Sequence, residues 1–518
     1  MNKLFSGLRP ADAIPRILMD FGLVHLSMLL ALGSSALYNI AVHGPEVADQ
    51  VIGNFSAYYL NFFWPLSGVF PVVFFLHGFY THSRYYRGRY KALVVVQGVG
   101  TALLVFLAAN YFLFRGQLVA RSAALAFAPL AVISLTGVRF AKSFVVRHFD
   151  ITPKTPKAVF KGTGRVLVVG GAGYIGSLLV RRLLERGYSV RVLDALLYGD
   201  WPLKDVLDDP NLEFVVGDCR NIQDVVKAVR GVESVVHLAA IVGDPACELD
   251  HQSALEINYA ATRMLVEVAK GNGVGRFLFA SSCSVYGATD AVMDEHAAVA
   301  PISLYGQTKV DSEDALLRAR TAAFHPTILR YATVFGLGYR PRFDLVVNLL
   351  TAKARQDGVI TIYNGQQWRP FIHVRDLVEA TVRVLEAPLG LVSGEIYNIG
   401  DSRMNHTLSE VAEVIRQVFP ETRVEHVENS DRRNYRVSFE KLESRLGFRA
   451  RYSLRDGVEE LKKAFDEGLI EDYTDLRYHN QRFLKVAGTP RHKDRVDALV
   501  MAAFASPALE AKAAAAGG

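Results

Sequence analysis

Cysteine is rare in this 518-residue chain, which contains only Cys219, Cys247 and Cys283. These residues show no CxxC spacing and no accompanying histidine pattern, so the sequence indicates neither a zinc site nor a disulfide framework, and we expect no metal. Disorder is excluded for most of the chain, because 50% of its residues are apolar and its 30 Phe and 22 Tyr can bury a core.

Acidic residues are nearly absent from the first third of the chain. Residues 1–165 contain 5 Asp and Glu against 16 Lys and Arg, whereas the remaining residues contain 47 acidic and 42 basic side chains. The formal net charge of +6 therefore arises in the first third, and the rest of the chain is net negative. This distribution argues against nucleic-acid binding, and a basic, apolar segment is instead typical of a membrane region.

Four long stretches lack Asp, Glu, Lys and Arg: 21–45, 51–83, 92–114 and 122–138. A helix needs about 20 apolar residues to span the hydrocarbon layer, so three of the stretches are long enough and the fourth is short. Basic residues cluster before the first stretch, between the second and third, and after the fourth. The pattern predicts a four-span transmembrane domain over residues 1–148 of an inner (cytoplasmic) membrane protein, with no cleaved signal peptide and both termini in the cytoplasm.

An aromatic and basic run connects the second and third stretches, namely Phe79-Tyr80-Thr81-His82-Ser83-Arg84-Tyr85-Tyr86-Arg87. In this run and in its hydropathy, the N-terminal part resembles the four-helix membrane domain of bacterial polysaccharide-biosynthesis proteins. The resemblance implies membrane lipid as a partner. It leaves open whether the domain only anchors the protein or also forms a groove for a lipid-linked substrate.

A glycine-rich loop follows the predicted linker 149–163. The buried strand 165–169 runs into a loop that opens an amphipathic helix, Gly170-Gly171-Ala172-Gly173-Tyr174-Ile175-Gly176. A dinucleotide site requires this strand–loop–helix context, because the helix N-terminus binds the pyrophosphate. We expect Gly170 to allow the tight turn, Gly173 the approach of the backbone to the cofactor, and Gly176 the close packing of the helix. Tyr174 and Ile175 are expected to contact the cofactor from the same loop.

Acidic and small residues end the following strands. Asp194 ends the second strand, and a carboxylate there accepts hydrogen bonds from the adenosine ribose, which favours NAD over NADP. Asp218 ends the third strand and is expected beside the adenine, while Ala239 follows the fourth, where a small residue can pack beside the cofactor. Because each strand is followed by a loop and a helix, we predict an α/β fold with a Rossmann-type doubly wound parallel sheet over 164–330.

Three residues, at the end of the fifth predicted strand and on the helix that follows it, are candidates for catalysis. Ser282 stands at the end of that strand, and Tyr305 and Lys309 lie four residues apart on one face of a predicted helix. A nearby ammonium and a cationic nicotinamide both favour the phenolate, so Tyr305 is a candidate general base. Ser282 is a candidate to hydrogen-bond the substrate hydroxyl and the tyrosine.

Five motifs together carry a family resemblance that extends from about residue 163 to residue 470. They are GxxGxxG at 170–176, HLAA at 237–240, SSCSVYG at 281–287, YxxxK at 305–309 and RPFIHV at 369–374. The chain resembles the extended short-chain dehydrogenases/reductases, specifically the NAD-dependent sugar epimerase/dehydratase group. The resemblance implies bound NAD, a homodimer, and a smaller C-terminal α/β substrate lobe over 331–484 that partly returns to the Rossmann domain. It also implies that Tyr305 is the catalytic base, that Lys309 lowers its pKa, that both contact the cofactor, and that Ser282 orients the sugar.

The residues after the fifth strand distinguish the branches of this family. In the 4,6-dehydratases the strand end reads Thr-Asp-Glu, whose acid and base drive the elimination of water, whereas this chain has Ser282, Cys283 and Ser284. The epimerases carry serine with small neighbours, so the resemblance favours an epimerase that works through a keto-sugar intermediate. A dehydratase or reductase of the same family is the first alternative, and a catalytically silent, membrane-tethered NAD-binding scaffold is the second.

The resemblance also implies which residues bind the phosphates of the substrate. Asn348 and Arg369 are expected to contact the nucleotide diphosphate, together with one of Arg432 or Arg433, and we select Arg433. The predicted substrate is a nucleoside-diphosphate sugar or a polyprenyl-diphosphate-linked sugar for surface polysaccharide synthesis.

Asp244 and Cys247 are expected on the loop over the sugar, where they would tune specificity, and Ser284 is expected to contact the substrate. His373 is expected to be a structural histidine of its strand. The tail 485–518 is polar and then alanine-rich, and we predict that it is flexible.

Overall fold

The computed structural model describes residues 10–76, 89–113, 121–148, 164–429, 433–489 and 495–505. The chain divides into two compact units, 1–158 and 159–518, and each is described by itself. The predicted linker 149–163, the aromatic and basic run at 79–87, and Arg432 lie outside the described residues.

In the described part of the first unit, four α-helices correspond to the four apolar stretches. They are α1 (Pro10–His43), α2 (Ala48–Leu76), α3 (Arg89–Leu113) and α4 (Arg121–His148). Their core is apolar, and within it the ring of Phe70 contacts those of Phe106 and Phe127. Two segments, Ile17–His43 and Pro45–Phe75, are long and apolar enough to cross a membrane by length and composition, and shorter apolar segments lie at Val95–Ala108 and Ala126–Val138. The four-span topology stays a prediction.

The second unit contains all the β-strands of the described residues. They are β1 (Val166–Val169), β2 (Val190–Asp194), β3 (Leu212–Val216), β4 (Ser234–His237), β5 (Arg276–Ser282), β6 (Val292–Met293), β7 (His325–Tyr331), β8 (Thr333–Phe335), β9 (Val359–Tyr363), β10 (Trp368–His373), β11 (Ile396–Ile399), β12 (Asn405–Thr407), β13 (Arg423–Val427) and β14 (Arg436–Val437).

A seven-stranded parallel sheet forms the centre of this unit, in the order β11-β7-β5-β4-β1-β2-β3. All four residues of β1 are buried, as expected of a strand whose two faces are both covered by helices. The chain builds the sheet outward from β1 to β3 and then crosses to β4 on the other side of β1. The Rossmann-type doubly wound sheet is therefore confirmed, and ligands bind in such folds at the carboxyl ends of the strands beside this reversal.

Helices flank these strands. They are α5 (Tyr174–Glu185), α6 (Ile222–Val229), α7 (Asp244–Cys247), α8 (His251–Leu255), α9 (Ala261–Asn272), α10 (Leu304–Arg318), α11 (Val346–Gln356), α12 (Val374–Glu386), α13 (Leu389–Val392), α14 (Leu408–Val418), α15 (Glu440–Leu446), α16 (Leu454–Asp466), α17 (Asn480–Ala487) and α18 (Arg495–Phe504). A single π-turn over Glu256–Ala260 joins α8 to α9.

The predicted substrate lobe, called the lobe below, has its own small sheets and core. β10 pairs antiparallel with β12 and parallel with β8, while β9 pairs with β13 and β6 with β14. Phe335, Phe371 and Val458 belong to the apolar core of the lobe. After β10 the chain returns to the Rossmann domain, where α12 packs on α5 and β11 pairs with β7.

The end of the chain is folded wherever the structure describes it. α18 packs against α9, buries Val500 and Met501 completely, and places the carboxylate of Asp497 2.8 Å from Nδ2 of Asn221. The described residues 485–489 and 495–505 therefore belong to the fold, and the flexibility of the tail stays a prediction. The apolar run 498–504 is short, so the sequence alone does not show that it docks on α9, and the tertiary contacts reveal which of its residues are buried.

Candidate active site

A cavity of about 710 Å³ opens at the carboxyl ends of β1, β2, β4 and β5 and extends to the substrate lobe. Its lining contains every predicted site residue except Asn348 and Cys247, whose buried thiol donates to the carbonyl oxygen of Ile241. The predicted residues in the lining are Gly170, Gly173, Tyr174, Ile175, Gly176, Asp194, Asp218, Ala239, Asp244, Ser282, Ser284, Tyr305, Lys309, Arg369 and Arg433. Residues that are far apart in sequence therefore share one cavity.

The glycine loop between β1 and α5 leaves room for a ligand at the helix N-terminus. Gly170 has φ +87°, and a Cβ there would lie 2.8 Å from the backbone nitrogen of Ala239. A Cβ at Gly176 would lie 2.2 Å from the carbonyl oxygen of Gly170, so the turn itself requires both glycines. By contrast, a Cβ at Gly173 would meet only that oxygen, at 3.4 Å. No side chain caps α5 at Gly173, and its N-terminus is therefore suited to a pyrophosphate.

Two carboxylates line the part of the cavity that an adenosine would occupy. Asp194 accepts hydrogen bonds from the backbone N–H groups of Ala172, at 2.9 Å, and Leu196, at 2.8 Å, which fix its orientation. Burial raises the pKa of the Asp194 carboxyl above its ordinary value. Asp218 forms an ion pair with the buried Arg220, with 2.8 Å between the closest atoms.

Tyr174 joins the glycine loop to the substrate lobe. Its hydroxyl donates a hydrogen bond to the carbonyl oxygen of Gly336, at 2.6 Å, and its ring lies against Gly338. Burial raises the pKa of the Tyr174 phenol, so it stays a neutral donor. Tyr174 therefore fixes the lobe against the loop, in addition to lining the cavity.

The ends of β5 and α10 bring the three catalytic candidates together. Ser282 ends β5, and its Oγ accepts a hydrogen bond from the N–H of Ser284 at 3.1 Å, which begins a short 3₁₀ turn. Ser303 caps α10 by accepting from the N–H of Gly306 at 3.2 Å, and this start places Tyr305 in the first turn. Lys309 lies one turn further along, and its Nζ is 5.7 Å from the centre of the Tyr305 ring.

The protonation of these groups is set mainly by burial. Burial raises the pKa of the Tyr305 phenol, while a hydrogen bond with Ser282 and the charge of Arg342 lower it. Burial also lowers the pKa of Lys309 to about 8, and its ammonium donates to the carbonyl oxygen of Ala280 at 2.8 Å. The charge of Arg342 thus acts on the pKa of Tyr305 in the same direction that the sequence predicted for Lys309.

Cys283 and Ser284 follow β5, and their side chains point in different directions. Cys283 is 1% exposed, and its thiol donates to the carbonyl oxygen of Arg330 at 3.4 Å, away from the cavity. Burial raises the pKa of this thiol. Ser284 lines the cavity, and the hydroxyl of Ser282 donates to its Oγ at 3.1 Å.

An ion pair crosses the cavity between the sheet and the lobe. Arg433 donates to Oδ2 of Asp244 at 2.9 Å, and Asp244 lies in the loop that follows β4. The other carboxylate oxygen, Oδ1, is buried and has no hydrogen-bond partner among the described residues. Arg369 is 8% exposed, and its guanidinium donates to the carbonyl oxygens of Trp368 and Arg433.

Asn348 does not reach the cavity, and the prediction that it contacts the substrate diphosphate does not fit its position. It is fully buried, its Oδ1 accepts from the N–H of Gly336 at 2.9 Å, and its Nδ2 donates to the carbonyl oxygens of Gly336 and Arg342. These three hydrogen bonds hold the loop after β8. His373 is structural as predicted, since its Nε2 lies 3.0 Å from the carboxylate of Glu460 and its ring stacks on Tyr452.

Sequence reasoning missed several residues that line the reaction end of the cavity. Arg342 donates to the carboxylate of Asp344 at 2.7 Å, and Arg340 is 2% exposed with its guanidinium over the ring of Tyr198. Burial lowers the pKa of Arg340 to about 10. The two arginines form the run Arg-Pro-Arg after β8, and this local density of basic residues was the signal available in the sequence.

Comparison with known proteins agrees with this geometry. Residues 166–400 match the model of the NAD dependent epimerase/dehydratase family. The chain is 31% identical over 259 residues to a protein of Bacillus subtilis described as the uncharacterized UDP-glucose epimerase YtcB, and the match covers 48% of this chain and 80% of that protein.

Solved structures of both reaction types are similar to the second unit. DesIV of Streptomyces venezuelae, a dTDP-glucose 4,6-dehydratase with NAD and TYD bound, is 30% identical, and the match covers 59% of this chain and 99% of that chain with a TM-score of 0.54. The UDP-glucuronic acid 4-epimerase of Bacillus cereus, in complex with UDP-glucuronic acid and NAD, is 26% identical over 58% of this chain and 99% of that chain, with a TM-score of 0.55.

These findings and the site agree on the cofactor. The loop glycines, the open N-terminus of α5 and the carboxylate of Asp194 are the parts that a dinucleotide needs, and the similar structures hold NAD. The chain belongs to the NAD-dependent epimerase/dehydratase family of sugar-nucleotide enzymes, and its cofactor is NAD.

Proposed function

We propose that this protein is an epimerase of a nucleoside-diphosphate sugar that works through a keto-sugar intermediate. The observation that carries the proposal is the end of β5. Elimination of water needs an acid and a base beside the sugar, but Ser282 and Ser284 have no carboxyl group, and the thiol of Cys283 is buried against the carbonyl oxygen of Arg330. Oxidation and reduction at one carbon need only the serine, tyrosine and lysine.

The residues of the chain would divide this reaction among them. When bound, NAD supplies the reversible oxidation of a sugar C–OH group to a ketone. Tyr305 accepts the proton of that hydroxyl and later returns it, and Ser282 holds the oxygen in line by a hydrogen bond. Lys309 holds the cofactor ribose, and Arg342 favours the phenolate of Tyr305 by its charge.

The part of the cavity that the lobe lines would bind the diphosphate. Arg369 and Arg433 line it, and a planar guanidinium binds phosphate oxygens in a bidentate manner. Arg433 already pairs with Asp244, so phosphate binding would share or replace that contact. The Oδ1 atom of Asp244 would then accept a hydrogen bond from a sugar hydroxyl, since it has no partner among the described residues.

A test of the reaction type uses the purified full chain with UDP-, GDP- and dTDP-linked sugars. We expect a product of unchanged mass and inverted configuration at one carbon, with no added NAD consumed. A product lighter by one water, as expected for a relative of DesIV, would instead assign the chain to the dehydratases. Net oxidation of added NADH, with reduction of the sugar, would assign it to the reductases.

We further propose that the first unit places the enzyme in a membrane. The supporting observation is the distribution of polarity in the helices. Leu37, Trp64 and Leu104 are 70–77% exposed, whereas His25 is buried between Tyr59 and Ser67. Apolar residues on the outside and polar residues within are typical of helices in lipid. The substrate would then be either a soluble sugar nucleotide or a polyprenyl-diphosphate-linked sugar.

The two substrates can be separated in one experiment. Turnover of a soluble nucleotide sugar by the detergent-solubilised protein supports the first. Turnover of only a polyprenyl-diphosphate sugar would replace it with the second. A homodimer, as the family resemblance implies, would be measured by light scattering on the same sample.

A further inference from the structure

A segment near the C-terminus crosses the reaction end of the cavity. We call residues 476–489 the C-terminal strap, which consists of a 3₁₀ turn, Leu476–Tyr478, followed by α17. The strap lies beyond residues 166–400, which match the family model. Three of its residues, Asn480, Gln481 and Leu484, line the cavity that Tyr305 also lines.

One end of the strap is attached to the substrate lobe. Arg340 donates to the carbonyl oxygen of Arg477 at 2.9 Å and to Oδ1 of Asn480 at 2.8 Å. The N–H of Phe343 donates to the carbonyl oxygen of Tyr478 at 3.0 Å, and the two rings pack at 5.6 Å between their centres. The buried guanidinium of Arg340 therefore holds the start of α17 in place.

The other end of the strap is attached to the Rossmann domain. Leu484 is 4% exposed and belongs to one buried cluster with Ile241, Cys247 and Tyr305. The ring of Phe483 packs on that of Tyr198, at 4.9 Å between the centres. The strap thus joins both sides of the cavity beside the catalytic tyrosine.

We propose that the strap closes the reaction end of the cavity and retains the keto-sugar between the two half-reactions, with Leu484 as the positioning residue that docks it. The inference rests on the proposed epimerase function. The ketone must turn within the site and accept its hydrogen again on the other face. If the ketone escapes, the two electrons taken from the sugar stay on the nicotinamide. That enzyme molecule can then no longer begin another cycle. Closure therefore serves retention as well as exclusion of water.

The dimensions of α17 suit a segment that opens and closes. The helix has 8 residues, and its outer face is exposed at Lys485 and Val486. Asn480 and Leu484 are its only buried residues, and segments of this kind open locally more easily than the core does. Undocking of Leu484 would provide the route by which the sugar enters and leaves.

The first test measures the partition of the ketone in the full chain. Keto-sugar released into solution is trapped with borodeuteride and counted by mass spectrometry against epimerised product. Leu484→Ala should raise the ratio of released ketone to product by about tenfold, because the truncated side chain no longer fills the buried cluster. Val486→Ala is the matched control, since Val486 is 72% exposed on the same helix, and Leu484→Met, which keeps the volume, should restore the wild-type ratio.

The second test uses the wild-type protein, so it depends neither on turnover nor on the folding of a variant. Hydrogen–deuterium exchange of the wild-type full chain is followed with no ligand, with NAD, and with NAD plus UDP, GDP or dTDP. Amides of residues 480–488 should exchange more slowly when both ligands are present. The role of the strap would be overturned if Leu484→Ala left the ratio of released ketone to product unchanged. It would also be overturned if the amides of residues 480–488 exchanged at the same rate with and without the ligands. Absence of turnover by the wild type with every sugar would overturn the proposed function instead. The exchange experiment would still show whether the strap closes when the ligands bind.

Discussion

Tyr305 carries the chemistry at the scale of single residues, and its surroundings act on it in opposite directions. Burial raises the pKa of the phenol, whereas Ser282 and Arg342 lower it. A phenol with a raised pKa is protonated at neutral pH, so we expect kcat/KM to increase with pH until the phenolate predominates. A rate that falls steadily as the pH rises from about 6 to about 9 would contradict the assignment of Tyr305 as the base.

Substitution of Tyr305 tests the same role directly. Tyr305→Phe removes only the hydroxyl, so we expect loss of turnover by at least about 100-fold with NAD still bound. Turnover is measured with the best sugar nucleotide, and cofactor content is measured after denaturation of the purified protein. Tyr397→Phe is the matched control, since it removes a phenolic hydroxyl that donates to the carbonyl oxygen of Leu391, and Tyr397 is not among the residues that line the cavity. Full activity in Tyr305→Phe would refute the role.

Lys309 should lower stability while it supports catalysis. Burial lowers its pKa from the ordinary 10.5 to about 8, so the unfolded chain binds the proton more tightly than the folded one. The resulting loss of stability is complete below about pH 8 and disappears as the pH rises through 10.5. Lys309→Met should therefore abolish turnover and raise the free energy of unfolding at neutral pH by roughly 1–3 kcal/mol. Urea unfolding at several pH values measures this, and equal stability of both proteins at pH 7 would contradict it.

Which residues line the site could be predicted only in part. Ser282, Tyr305 and Lys309 belong to local motifs, and the parallel sheet brings the strand ends and α10 together. Asn348 and Arg342 belong to no such motif. The amide of Asn348 is used by the backbone of its own loop, and Arg342 reaches the cavity because that loop folds back over it. Contacts of this kind depend on tertiary structure, which the pattern of residues does not encode locally.

At the scale of structural elements, the glycine loop predicts different effects for alanine at Gly176 and at Gly173. A Cβ at Gly176 would overlap the carbonyl oxygen of Gly170, whereas one at Gly173 would have only a 3.4 Å contact to that atom and would project into the cavity. We expect Gly176→Ala to impair folding, and Gly173→Ala to fold with a near-wild-type melting temperature but to lose NAD. Calorimetry and cofactor content measure the two effects. Retention of NAD by Gly173→Ala would show that the cofactor does not approach this residue.

The strands and helices of the second unit were predictable because their apolar runs alternate with loops at regular intervals. The two C-terminal helices were not, because α17 and α18 each depend on a few buried residues such as Leu484 and Val500. α17 packs on α7 and α18 packs on α9, and this tertiary packing, rather than intrinsic helix propensity, stabilises the two helices.

At the scale of the whole molecule, the uneven charge of the chain corresponds to the two units. We expect the full chain to remain in the membrane fraction after washing with alkaline carbonate and to be released by detergent, because the exposed surface of the first unit is apolar. Immunoblotting of the fractions measures this. Release by carbonate alone would mean that the helices do not span the bilayer, and would remove the case for a lipid-linked substrate.

The most direct test of the central claim is the isotopic course of the reaction. The full chain is incubated in D₂O with a nucleotide sugar that it converts, and the product is analysed by NMR and mass spectrometry. The epimerase mechanism predicts inversion at one carbon with no deuterium at that carbon or at C5, because the hydrogen is removed and returned within the site. Deuterium at C5 together with loss of one water would contradict it and would identify the enzyme as a 4,6-dehydratase.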